Sequence, residues 1–273
     1  MTRAAAPTRA PLPRAGVLSA ALAALLAAGA GAQPPAPRPL SPAGTEALRF
    51  LLKKEGIEPL RRISDLPRGV SRTMVIILGD TTGLKGTKSW PLHFGPFLSS
   101  GGSILIATDR PLAFVDDMNP LDRSSDFLRI PGTLLESTDP RACYRGLSFC
   151  PFVSPDLGEH AGDQRFEPFR PLFDSLTSVA TNNPSHIEMV KPGAFIPLAA
   201  FPPSAREVGT RHRAGHFAAG TTEGRGRLLV LADHSVFINE MILQPDNDNF
   251  DFALNCINWL RQNNADGQPP RDR

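Results

Sequence analysis

Three aspartates, Asp80, Asp109 and Asp233, each follow a short apolar run, and His234 stands directly after the last of them. An apolar run bounded by turn residues reads as a buried strand. If such strands are parallel, their carboxyl ends lie along one edge of a sheet, where ligands bind in open α/β folds. Three carboxylates and an imidazole gathered there could hold a cation or hydrogen-bond a polar ligand. Mutual repulsion could also raise one carboxyl toward the range useful for acid–base work. The plainer reading is that each aspartate caps the turn or helix after it, for which its short side chain is suited. The residue types favour that second reading, so Asp80, Asp109, Asp233 and His234 are candidates for ligand binding, and no catalytic residue is assigned.

Other constellations give weaker signals. Asp233-His234-Ser235 has the residue types of a hydrolase triad, but adjacent residues at one turn project in different directions and cannot form the relay. No Gly-x-Ser-x-Gly elbow occurs. Residues 79–88 superficially resemble a phosphate loop, yet Thr87 separates Gly86 from Lys88, so the amine is misplaced, and weak anion binding by Thr81, Thr82 and Lys85 competes with a plain polar loop. His212 and His216 are four apart, but Gly215 argues against the helix that would bring them together on a metal. Residues 246–257 begin like a calcium loop, with Asp251 where glycine belongs and Ile257 where glutamate belongs; helix capping by Asn249 or Asp251 explains the stretch. No metal site and no cofactor follow from these patterns. Of the three cysteines, Cys143 and Cys150 could close a small loop in an oxidising compartment or remain reduced, and Cys256 reads as a buried thiol on an apolar helix face.

The elements that must position the strand ends are legible in outline. Residues 46–55 form an amphipathic helix stopped at Gly56, and 57–63 are a strand candidate weakened by Pro59. Residues 74–78 and 103–108 read as strands joined through a short helix at 90–98, which implies a right-handed crossover. Residues 195–201, 216–221 and 227–232 read as later strands, the last two forming a hairpin around residues 222–224. A buried helix follows, carrying Phe250, Ala253, Leu254, Ile257 and Leu260 on one stripe. Residues 110–183 break the alternation with prolines and short apolar clusters. They read as an insertion: either a lid or partner surface over the functional edge, or an elaboration that shields an edge strand.

Four segments, 45–48, 101–107, 226–233 and 249–255, together resemble an uncharacterised bacterial envelope family, the domain of unknown function 4350. The resemblance covers most of the chain apart from the insertion. It implies a three-layer, flavodoxin-like α/β fold similar to class I glutamine amidotransferases, with a mostly parallel sheet, a C-terminal hairpin and the long insertion. It also implies a relation to gliding-type ABC-transporter auxiliary subunits. In the amidotransferase pattern the strand at 103–108 runs into a cysteine between glycines, whereas this chain has Thr108-Asp109-Arg110-Pro111. Without a thiolate there the ancestral mechanism has no nucleophile, and Pro111 suits an oxyanion-binding helix start poorly.

The N-terminus sets the compartment. Residues 1–32 hold Arg3, Arg9 and Arg14 but no acid, then an alanine-rich apolar run and Ala30-Gly31-Ala32, the pattern of a secretory leader cleaved near Ala32. A retained anchor and an organellar transit peptide are the alternatives. The whole chain has 29 basic and 27 acidic residues, so losing those three arginines leaves one acid in excess, with no basic stripe for nucleic acid. A Pro-rich linker at 33–44, a domain at 45–262 and a polar tail at 263–273 complete the expected layout, with no membrane span after leader cleavage. The reading that follows is an exported, periplasmic or envelope module, not an enzyme, that binds an envelope protein or polar ligand. The alternatives are an envelope hydrolase using the strand-end acids with His234, and an auxiliary component of a membrane transporter or assembly.

Overall fold

The computed structural model describes residues 39–60, 70–81, 94–114, 127–155, 163–191, 193 and 195–261. The expected leader, most of the linker and the tail lie outside them. The elements begin with α1 (Glu46–Lys54), β1 (Met74–Leu78), α2 (Phe94–Ser99), β2 (Ser103–Ala107), β3 (Leu112–Phe114), β4 (Leu128–Ile130), β5 (Leu135–Ser137) and β6 (Phe152–Pro155). A 3-10 segment, Glu167–Phe173, precedes β7 (Val179–Ala180), β8 (Glu188–Met189), β9 (Ile196–Ala200), β10 (Ala205–Glu207), β11 (His216–Glu223) and β12 (Gly226–Leu231). Two helices follow, α3 (Asn239–Ile242) and α4 (Asn249–Arg261).

Seven strands form the main sheet in the order β1-β2-β12-β11-β9-β6-β7. β2 pairs in parallel with β1 on one side and β12 on the other, so Leu78, Ala107 and Leu231 end side by side. From β12 onward every pairing is antiparallel. The domain is thus a mixed α/β fold in which the expected parallel alternation holds for the three strands that carry the candidate site. Two small sheets, β3-β4-β8 and β5-β10, are built from the connections.

Alternation along the central strands feeds two cores. Leu105, Ala107, Leu229 and Leu231 face one side, where α1, α4 and the 3-10 segment pack. Ile104, Ile106, Leu228 and Val230 face the other, against Phe97 and Leu98 of α2 and Leu112, Leu128 and Ile130 of the small sheet. All five residues of β2 are buried, and each large one among them contributes about 2 kcal/mol through the apolar area removed from water. The contact between α2 and β12 is close: a Cβ on Gly226 would fall 2.1 Å from the Leu98 carbonyl oxygen.

The start of α1 differs from a purely local reading, and its end follows one. Thr45 makes no side-chain cap; the Ala47 amide donates instead to Asn239 Oδ1 at 2.9 Å, from a residue far along the chain. At the other end Gly56 (φ 71°) closes α1, with the Gly56 amide on Lys53 O and the Ile57 amide on Leu52 O, a paired C-terminal closure. That closure and Pro59 carry the chain away from a sheet, so residues 57–60 are not a strand, and 61–63 lie outside the described residues. The hairpin turns at Gly224 and Arg225, slightly later than expected, because β11 runs on to Glu223.

The insertion is largely an elaboration of the sheet. It supplies β6 and β7, which extend the main sheet beyond β9, and the 3-10 segment that lies against α4. The Trp259 indole N–H donates to Pro168 O at 2.6 Å, and the Arg227 guanidinium lies over its ring at 5.0 Å. Among the described residues, no helix is long and apolar enough to cross a membrane.

Candidate functional site

At the carboxyl edge of β1, β2 and β12, backbone and side-chain hydrogen bonds stitch the strand ends together. The Gly79 amide donates to Ala107 O at 2.8 Å, and the Thr108 amide donates to Leu231 O at 3.0 Å. Thr108 Oγ1 donates to Gly79 O at 2.6 Å and accepts the Arg110 amide at 3.0 Å. Its hydroxyl is therefore committed to the turn. Gly79 has φ 74°, and a Cβ there would meet His234 Cδ2 at 3.3 Å. The left-handed backbone favours glycine, and the imidazole lying against it leaves little room for a side chain.

The four candidates are treated differently by the fold. Asp109 and His234 meet, with His234 Nδ1 3.4 Å from Asp109 Oδ1, both side chains partly solvated. Neither atom has an aligned hydrogen bond, although both are shut off from solvent. The contact is an ion pair without a straight donor–acceptor line. Asp109 holds the His234 imidazolium above its ordinary value, and His234 in turn holds the Asp109 carboxyl below its own. Asp80 is exposed after β1.

Asp233 points inward and is completely buried. Its Oδ2 accepts the Asn182 amide at 2.8 Å and its Oδ1 accepts the Ser235 amide at 2.7 Å. Ser235 Oγ lies within hydrogen-bond distance of both Asp233 Oδ1 and Asn182 O. One hydroxyl proton can serve only one of those acceptors. A proton on Asp233 would let that carboxyl donate to Ser235 Oγ while Ser235 donates to Asn182 O, and burial pushes the Asp233 carboxyl in that direction. Asp233 is thus an internal clasp between the strand end and residue 182, and its bond from the Ser235 amide is the turn-capping role that the residue types favoured. The raised carboxyl is Asp233, and its cause is desolvation by burial rather than repulsion between carboxylates. The Ser235–Asp233 contact also bypasses His234, which removes the triad arrangement.

The bridge considered for Cys143 and Cys150 is not formed: all three cysteines are free and buried. Cys143 Sγ donates to Asp139 O at 3.2 Å, while Cys150 Sγ lies 3.8 Å from Asn182 Oδ1, so each thiol has its own polar neighbour. Burial pushes the Cys150 thiol up to about 11 and the Cys256 thiol higher still, which suits neither to nucleophilic attack. Asp246 binds Tyr144 and Arg145, and Asp248 accepts the Thr177 and Ser178 amides. The calcium-like run is therefore a set of loop ties. Asn249 does not cap α4; its amide side chain pairs with both backbone groups of Ala180. Thr81 is buried, and Thr82 and Lys85 lie outside the described residues.

Sequence reasoning missed one cluster. His186, Glu188 and Glu207 bring one ligating atom each within 4.8 Å of one another. Residues two apart on a strand share a face, so the His-x-Glu pair at 186 and 188 was a weak available signal. Glu207 comes from a different small sheet, and nothing local announces it.

The model of one family matches residues 40–257. The chain belongs to the Domain of unknown function (DUF4350) family. No curated protein matches it. Among solved structures, this DUF4350 chain is similar to the mmIFT52 N-terminal domain at 14% identity and a TM-score of 0.49, covering 80% of this chain and 91% of that one.

Proposed function

We propose that this DUF4350 chain is an exported, non-catalytic α/β binding or scaffold module of the cell envelope, with a flavodoxin-like core that has lost its amidotransferase chemistry. The observation that carries this reading is the treatment of Asp233: the most enclosed acid of the edge is spent on internal hydrogen bonds. What faces outward is a partly solvated Asp109–His234 pair beside Gly79, a feature suited to recognising a polar group on an envelope protein or ligand. Thr108-Asp109-Arg110-Pro111 supplies no nucleophile at the turn after β2. Export follows from the N-terminal pattern.

The test is capture from envelope extracts with the wild-type chain, the Asp109→Ala and His234→Ala variants, and Glu223→Gln at the opposite end of the sheet. Recovery of a partner that both edge variants lose and Glu223→Gln retains supports the proposal. Turnover of an ester, amide or glycoside substrate that Asp109→Ala abolishes overturns it in favour of an envelope hydrolase. That second reading draws on the Asp109–His234 contact, since an imidazole oriented by a carboxylate can serve as a general base.

A further inference from the structure

His186, Glu188 and Glu207 stand apart from the strand-end site and join two elements that share no strand. His186 lies on the approach to β8 with Glu188 two residues on, and Glu207 ends β10 in the other small sheet. His186 Nε2 is 3.3 Å from Glu207 Oε1 and 3.5 Å from Glu188 Oε1. The His186 side chain is 4% exposed, and its Nε2 makes no hydrogen bond. A buried polar atom aimed between two carboxylates without a partner calls for a ligand.

We propose that these three side chains bind a divalent transition cation of the zinc class. Bonds of about 2.1 Å spread at the tetrahedral angle place neighbouring donors about 3.4 Å apart, which matches the two distances from Nε2. One imidazole nitrogen and two carboxylate oxygens suit zinc better than calcium or magnesium, which take oxygen-only sets. Arg129 engages the other oxygen of Glu188, and Thr133 Oγ1 donates to Glu207 Oε1 at 3.3 Å, so both carboxylates are already oriented. Three protein donors leave a fourth position for solvent. The bound ion ties β8 to β10 as a structural clip, a role independent of whatever the strand-end edge recognises.

The outer nitrogen sets a condition on this site. His186 Nδ1 accepts the Gly215 amide at 3.1 Å, so the ring carries its proton on Nε2, and the cation must displace it. The Gly215 amide cannot turn away freely. A Cβ on Gly215 would sit 2.3 Å from Ile187 O, and Ile187 and His216 exchange backbone hydrogen bonds of 2.7 and 3.0 Å beside it. Zinc at Nε2 therefore requires the neutral ring to carry its proton on Nδ1, which removes the acceptor from the Gly215 amide. Affinity falls about 10- to 100-fold below that of a site whose outer nitrogen donates.

The test is zinc titration of the full chain by calorimetry and by amide NMR, with calcium alongside. The expected result is one zinc per chain, calcium at least about 100-fold weaker, and a shift of the Gly215 amide that saturates with the same stoichiometry. Glu207→Gln and His186→Asn weaken zinc about 100-fold or more, whereas His234→Ala does not. Glu188→Gln, at a partly solvated position, weakens zinc at least about tenfold in a chain whose circular dichroism is unchanged, and this variant decides if His186→Asn fails to fold. Absence of zinc binding, binding indifferent to Glu188→Gln and Glu207→Gln, or a Gly215 amide that does not move overturns the proposal.

Discussion

The neighbours Asp233 and His234 show how far one step along a chain separates two fates. Their backbone leaves β12 together, yet one side chain turns into the core and the other lies along Gly79 toward Asp109. Asp233→Ala is expected to cost about 2–4 kcal/mol in urea denaturation, because it strands the Asn182 and Ser235 amides in a buried place. The Asp109–His234 pair is worth less, about 0.5 kcal/mol, since both side chains are partly solvated. Its pH dependence has a definite sign. His234 is held above its ordinary 6.5, so its contribution is complete below that value and is lost as pH rises through the higher folded one. Asp109 is held below its ordinary 3.8, so its contribution is present above that value and is lost as pH falls through the lower folded one. An NMR titration of the His234 ring should accordingly give a midpoint above 6.5 that drops in Asp109→Asn. The positions of all four candidates at strand ends could be read from apolar runs and turn residues. Which carboxylate would be enclosed could not, because enclosure depends on residue 182 arriving from the insertion.

Among the elements, those with the strongest local patterns formed where the sequence placed them, and the short ones did not announce themselves. β2, β12 and α4 carry long apolar runs or stripes and are buried accordingly. By contrast β6, β7, β8 and β10 have two to four residues each, too few for a period to show. Their pairing rests on partners distant in sequence, which is why β6 and β7 at the far edge of the sheet and the two small sheets could not be read, whereas the β11–β12 hairpin could. Close packing between elements makes its own prediction. Gly226→Ala would drive a Cβ into the Leu98 carbonyl, so α2 must shift off β12 and the thermal midpoint should fall by several degrees in a calorimetric scan. Trp259→Ala removes the indole bond to Pro168 and the ring beneath Arg227; a loss of about 3–5 kcal/mol in denaturant titration is expected.

For the whole molecule, length and the strand–helix alternation pointed to one α/β domain, and one family matches residues 40–257. The insertion was separable in sequence but is not separable in space, since it supplies two strands of the main sheet and the 3-10 segment against α4. Asn239 binds the molecule at the largest scale: its Oδ1 accepts the Ala47 amide, and its Nδ2 donates to Ser41 O at 2.7 Å and to Glu46 Oε2 at 2.6 Å. Asn239→Ala should release residues 40–54 to limited proteolysis while the rest of the domain resists. The same latch fixes an order of events during synthesis. Residues 41–47 are made early, but their tie to Asn239 must wait until the stretch near 239 has followed, some 190 positions later, so the opening helix completes its hydrogen bonding late. A polypeptide closed by so distant a tie cannot complete its fold until almost all of it has been made.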